Sequence, residues 1–164
     1  MANKHAIVRL DNVSALYNGA LTRSIEYFVD SSATDIDNGR IVALDGLIDG
    51  EREVYKAIAP TATSSPLVLT CGVELMYDET TYHGLEDYTN KAGKPFRGVI
   101  VRTGDTFSVT AEALSGTPAK GSYVTVDTTT QMVVKTSVTT ETVVGKIIDV
   151  DVVGADTYYV IEVA

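Results

Sequence analysis

Thr142-Val-Val-Gly-Lys-Ile-Ile-Asp-Val-Asp-Val-Val153, then Gly154-Ala-Asp156, then Thr157-Tyr-Tyr-Val-Ile-Glu-Val-Ala164: two runs rich in β-branched and aromatic residues meet across a short turn. β-branched side chains lose rotamer freedom in a helix and pack well on a pleated surface, so both runs read as strands. A glycine-containing turn between two such runs is a hairpin signal. Gly145, inside the first run, marks a bulge or a sharp bend. Upstream, Ser122-Tyr-Val-Thr-Val-Asp127 alternates polar and apolar, Thr128-Thr-Thr130 is a polar turn, and Gln131-Met-Val-Val-Lys135 is another strand. A side-chain period of two turns Val124, Val126, Val133, Val144, Ile147, Val160 and Val163 inward, and Ser122, Thr125, Thr128 and Lys135 outward.

The middle of the chain carries more strands: Arg40-Ile-Val-Ala-Leu-Asp45, Glu53-Val-Tyr-Lys-Ala-Ile-Ala59 and Pro66-Leu-Val-Leu-Thr-Cys71. Phe96 to Arg102 and Thr106 to Thr110 form a candidate hairpin across Thr103-Gly-Asp105. Residues 78–90 read as a polar, tyrosine-containing loop with one helical turn near Leu85-Glu-Asp-Tyr88. The N-terminal part is different. Val8, Leu10, Val13, Leu16 and Leu21 fit no period, and Asn12, Ser14, Asn18 and Gly19 interrupt them. Two readings stay open for residues 1–36: an arm that docks on another subunit, or the first strand region of the same barrel. The fold class expected is all-β with little helix, a small antiparallel β-barrel or sandwich over residues 37–164 with an extended N-terminal segment.

The chain has 164 residues, 45% of them hydrophobic, enough for a core without staples. A single cysteine, Cys71, excludes an intrachain disulfide and the cysteine-rich zinc sites. Within Leu67-Val-Leu-Thr-Cys-Gly72 it reads as a small core residue. The net charge of -9 repels phosphate, so direct nucleic-acid binding is not expected. No window approaches the ~20 apolar residues of a membrane span, and no apolar signal core follows Met1-Ala-Asn-Lys-His5. Synthesis and use in a cytoplasm, or in something assembled there, is expected.

No constellation for catalysis stands out. There is no Gly-x-Ser-x-Gly elbow, and His5 and His83 are the only imidazoles. Asp35-Ile-Asp-Asn-Gly39 resembles the start of a calcium loop, but Gly46 stands where that loop needs its glutamate. Asp-Asn-Gly is also an ordinary turn sequence. Gly116-Thr-Pro-Ala-Lys-Gly-Ser122 lacks the spacing of a phosphate loop. Of Asp149, Asp151 and Asp156 the first two share one strand face, which reads as solvated, and the carboxylate pairs Glu51/Glu53 and Asp78/Glu79 belong to a chain with 9 scattered Tyr and no Trp, unlike a sugar cleft with its stacking aromatics. No catalytic residue, cofactor or metal is expected.

Gly116-Thr-Pro-Ala-Lys-Gly-Ser-Tyr-Val-Thr-Val-Asp127, Val143-Val-Gly-Lys-Ile-Ile-Asp149 and Tyr159-Val-Ile-Glu-Val163 together resemble the small head decoration proteins of tailed bacteriophages. Residues 37–46, Glu51 to Pro60, Glu74-Leu-Met-Tyr-Asp78 and Asn90 to Gly98 are similar to head-associated proteins of phages of Gram-positive hosts. The resemblance covers about residues 37–164 and implies a small β-barrel on the capsid surface of the virion. Its partner would be the major capsid protein. It also implies a homo-oligomer, a trimer first, no direct contact with nucleic acid or membrane, and no active site. Under that reading Val8, Leu10, Val13, Leu16, Tyr17 and Leu21 are the candidate capsid-docking residues. The rivals are another head or tail part, or a carbohydrate-binding β-sandwich. The last would gather Tyr17, Tyr27, Tyr55, Tyr77, Tyr82 and Tyr88 on one face.

Overall fold

A computed structural model of the chain describes residues 4–75, 80 and 84–164. The described residues hold twelve strands, five 3-10 turns and no α-helix. The all-β expectation holds, but the strands divide between two sheets.

The first sheet contains β1 (Thr22–Val29), β2 (Ser32–Ala33), β3 (Ile41–Leu47), β4 (Val54–Ile58), β5 (Leu67–Thr70) and β6 (Phe96–Ile100), in the order β2-β1-β4-β3-β5-β6. β1 also pairs with β6, so β1, β4, β3, β5 and β6 close into a ring. Within it β1 and β4 run parallel and the other pairs antiparallel. Closure leaves these five strands without an open edge. Gly98 permits it: a Cβ there would lie 2.6 Å from Ile25 and 2.7 Å from Val68.

The second sheet contains β7 (Thr106–Thr110), β8 (Leu114–Ser115), β9 (Tyr123–Val126), β10 (Met132–Lys135), β11 (Thr142–Val153) and β12 (Asp156–Val163), in the order β7-β12-β11-β9-β10-β8. Its two edge strands, β7 and β8, are joined by the 3-10 turn Ala111–Ala113, so the sheet curls back toward itself. The hairpin expected across Thr103-Gly-Asp105 does not form. β6 pairs with β1 and β5, and β7 pairs with β12, so the turn is the crossover between sheets. Phe107 and Val109 are fully buried in the second core, which holds β7 there.

β3 and β5 carry buried side chains on both faces. Val42 and Val68 pack with Ile25, Tyr27, Ile36 and Ala57 inside the first ring. Their neighbours Ile41 and Leu69 point the other way, into a cluster with Phe107, Val109, Ile147 and Ile161 of the second sheet. Strands buried on both faces read as continuous apolar runs, as Ile41-Val-Ala43 and Leu67-Val-Leu69 do.

The predicted inward set is partly shifted. Val124, Val126, Val144, Ile147 and Val163 are buried, whereas Val133 and Val160 are only half-buried, and Met132 and Ile161 fill the core beside them. Ser122 and Thr125 are buried rather than outward, and Lys135 is half-buried. β9 is buried on both faces, β10 turns Met132 inward, and in β12 Ile161 and Val163 share the inward face, which a period of two denies to Val160. β11 itself carries two bulges, where the register slips between Val143 and Gly145 and again between Ile147 and Asp149. Each extra residue reverses the parity of the strand beyond it. Gly145 is one such site, where the backbone passes against the Glu162 carbonyl with no room for a Cβ. Replacing Ile161 by alanine should therefore cost roughly 2–5 kcal/mol by urea denaturation. Val160→Ala, at a half-buried position, should cost clearly less; equal losses would show that the register is different.

Candidate docking surface

Residues 4–21 are not a free arm. Val8 forms an isolated antiparallel bridge with Val109. The Arg9 amide donates to the Ser108 carbonyl (3.0 Å) and the Thr110 amide to the Ile7 carbonyl (3.0 Å). The segment thus lies as a short extra strand on the open edge of β7. Side chains extend the contact: Asn12 Nδ2 donates to Ser108 Oγ (2.7 Å), the Thr106 amide to Ser14 Oγ (2.8 Å), and Arg9 meets Asp151 at 2.6 Å. Farther on, Ala15 and Leu21 pack with Cys71 and Val99 of the first sheet. The segment is a strap across both sheets.

This corrects the docking assignment. Val8, Val13 and Leu21 are buried in the chain's own core, and Leu10 and Leu16 pack half-buried against it. Of the six candidates only Tyr17 is largely exposed, at 81%. An apolar side chain already removed from water gains nothing by docking elsewhere unless the core opens.

The largest group of exposed apolar side chains among the described residues lies on the hairpin of β11 and β12. β9 accompanies β11 as far as Lys146, opposite Tyr123, and Ser122 and Gly121 extend the pairing to Ile147. Beyond that point β11 continues paired with β12 alone to the turn at Gly154, which takes φ 65°. Ile148, Val150, Val152 and Val153 are exposed there, Val152 at 69%. Pairing fixes the faces: Asp149 and Asp151 lie opposite Val160 and Tyr158, so they share one face, and Val150 and Val152 share the other with Tyr159 and Thr157. The acidic face is braced by Lys120 on Asp149 (2.9 Å) and Arg9 on Asp151.

A second feature is a polar cleft of about 820 Å³ lined by Lys4, His5, Asp35, Asp37, Arg40, Lys91 and the Thr129–Gln131 loop. Its carboxylates are already engaged. His5 Nδ1 lies 2.8 Å and Arg40 3.5 Å from Asp37, while Asp35 accepts from the Ala92 amide (2.8 Å) and Lys91 (2.9 Å). The Ala92 amide and then Lys91 hold the Asp35 carboxyl below its ordinary value. The calcium-like loop is a turn pinned by its neighbours: Asn38 is fully buried, exchanges hydrogen bonds with Gly72, and receives one from Asn90 (3.0 Å). Gly39, at φ 76°, rests against Ala113 and Val109 of the second sheet.

Cys71 is fully buried, and burial pushes its thiol up to about 11. Glu74, raised by its own burial, accepts from Asn38 and from the Val8 amide and so helps fasten the strap. No group of three potential metal ligands converges among the described residues. His83, Asp78, Glu79, Tyr77 and Tyr82 lie outside them. Of the remaining tyrosines in the carbohydrate-platform set, Tyr27 and Tyr55 pack into the first core and Tyr88 donates to Asn90 (3.0 Å), which leaves Tyr17 alone on the surface.

The fold and surface define an all-β chain of two joined, curled sheets with one projecting hairpin. No family model, curated protein or solved structure matches it.

Sequence reasoning missed the hairpin as a surface because Val150 and Val152 alternate like any buried strand. The only signal was length: β11 is 12 residues long, against four or five for most of its neighbours. Two outcomes test the strap and the cleft. Deleting residues 1–13 removes Ile7, Val8 and Val13, each worth about 1.5–3 kcal/mol when fully buried, and should abolish cooperative melting followed by circular dichroism. Asp35→Asn should lower the melting temperature at neutral pH but not in strong acid. Because the folded carboxyl is held below its ordinary value, its contribution is present above that value and lost as pH falls through the folded one.

Proposed function

We propose that this protein is a structural virion component that binds the outside of an assembled phage head and stabilises it, turning over no substrate. Its partner is the major capsid protein, and its place is the capsid surface. The observation that carries this reading is the projecting hairpin. The segments that resemble decoration proteins are neighbours in the second sheet, contributing β9, β11 and β12. That unit ends in exposed Ile148, Val150, Val152 and Val153, apolar surface of the kind that marks an interaction site. The acidic charge keeps a protein needed in many copies soluble. On a symmetric shell, weak contacts at each site are multiplied by avidity when the protein binds as an oligomer, a trimer first.

One feature favours a second virion role, as a ring-forming tail or head-completion subunit: the outer edge of β11 beyond Ile147 has no partner strand among the described residues. Sedimentation of the isolated protein separates the two, since rings are expected only for the second. The decisive measurement is co-sedimentation with undecorated heads and, separately, with free capsid subunits. Binding to heads but not to free subunits, with a raised temperature of head disruption, is the expected result. Failure to bind the heads of its own phage ends the proposal.

A further inference from the structure

We infer that the free edge of β11, from Ile148 to Val153, is a strand-acceptor site for an extended partner segment that alternates lysine or arginine with apolar residues. The inference deepens the docking role proposed above and rests on it for the identity of the donor, which would be a segment of the capsid protein.

Three observations converge. Most of the backbone is available: Ile147 is the last residue of β11 bonded on its outer side, to Gly121 and Ser122, and no described strand pairs with that side from Ile148 to Val153. The turn Gly154-Ala155 closes the pair Val153 and Asp156, so bonds to β12 come from Val153, Asp151 and Asp149, while Val150 and Val152 face their N–H and C=O groups outward, the Val150 amide meeting only the exposed Asp149 carboxylate, which an incoming strand displaces. Such a row is a template for one more strand. Side chains then set what that strand must be. On one face it meets Val150 and Val152, which are exposed and apolar. On the other it meets Asp149 and Asp151, whose present partners, Lys120 and Arg9, are surface pairs of little net worth. Cross-strand neighbours of opposite charge stabilise and like charges oppose pairing, so the donor is apolar on one face and cationic on the other.

Charge also excludes a second copy of this strand. Antiparallel self-pairing that keeps each face together opposes Asp149 to Asp151, or Asp151 to itself, in the registers of greatest overlap; the register centred on Val152 joins only the strand ends. Parallel self-pairing brings the same acidic faces together. Both place carboxylates side by side on a chain of net charge -9.

The test uses the full chain and three synthetic hexapeptides: alternating lysine and valine, the same residues in two blocks, and alternating glutamate and valine. Amide hydrogen exchange and backbone shifts are read by nuclear magnetic resonance. The alternating lysine peptide should protect the Val150 and Val152 amides and bind at least fivefold tighter than either control. Val152→Pro should weaken it tenfold or more without changing the melting temperature, because that N–H serves no bond inside the protein. The double change Asp149→Asn and Asp151→Asn should erase the preference for lysine over glutamate while keeping the hairpin. Equal binding of the two lysine peptides, shifts centred elsewhere, self-association through the edge, or no binding would each overturn the inference. The outcomes also separate from the docking role. Heads that bind wild type and Val152→Pro equally well sink the acceptor site alone. Heads that bind neither, while the alternating peptide still protects Val150 and Val152, sink the capsid role alone.

Discussion

Ile41 and Val42 of β3, and Val68 and Leu69 of β5, are all fully buried although they lie on opposite faces of one sheet, and this double burial is what turns two small sheets into one molecule. Val42 and Val68 fill the first ring, and Ile41 and Leu69 reach the cluster around Phe107 and Ile161. Neither sheet alone would cover that second face, and a curled sheet of six short strands is a small core by itself. The strap of residues 4–21 completes the arrangement, placing Val8 and Val13 in the same cluster as Ile41 and Leu69.

Such a junction also has polar needs. The chain between β2 and β3 must turn between two apolar surfaces, where unpaired backbone groups are costly. Asn38 and Asn90 answer this by mimicking strand pairing with side-chain amides, holding Gly72 and Ile36, while Thr70 Oγ1 donates to Asp37 and accepts from the Arg40 amide. The residues that looked like the start of a cation loop are therefore spent on architecture. Fully satisfied buried networks of this type hold one geometry rather than several.

Burial at the junction sharpens the contrast with the hairpin. Around the junction, apolar side chains are covered by the second sheet, the first ring or the strap, whereas β11 and β12 run past the end of the core and carry Val150 and Val152 into solvent. The same strand pair thus has two jobs along its length: Ile147 and Ile161 anchor it, and the distal residues present a surface. A rigid base under an exposed edge favours binding, because little order is lost when a partner strand is added.

Strand content, the positions of most strands, the hairpin at Gly154, the bulge at Gly145 and the buried place of Cys71 were legible in the residues, because β-branching, turn chemistry and a period of two are local properties. β1 carried the same alternation in Ile25 and Tyr27 and could have been found. What the residues did not show was non-local. Whether β6 turns back on β7 or closes a ring with β1, whether β1 meets β4 in parallel, and whether residues 4–21 leave the molecule or lie along β7 depend on which surfaces are left open once everything else is packed. The phase of β12 is of the same type: Val160 and Ile161 are equally apolar, and only the pairing of Ile161 with Ile147 over the shared core decided that Ile161 faces inward. A strand records its alternation in its own sequence, but its partner, its phase and what covers it are set by chain segments far away, and those only the tertiary structure decided.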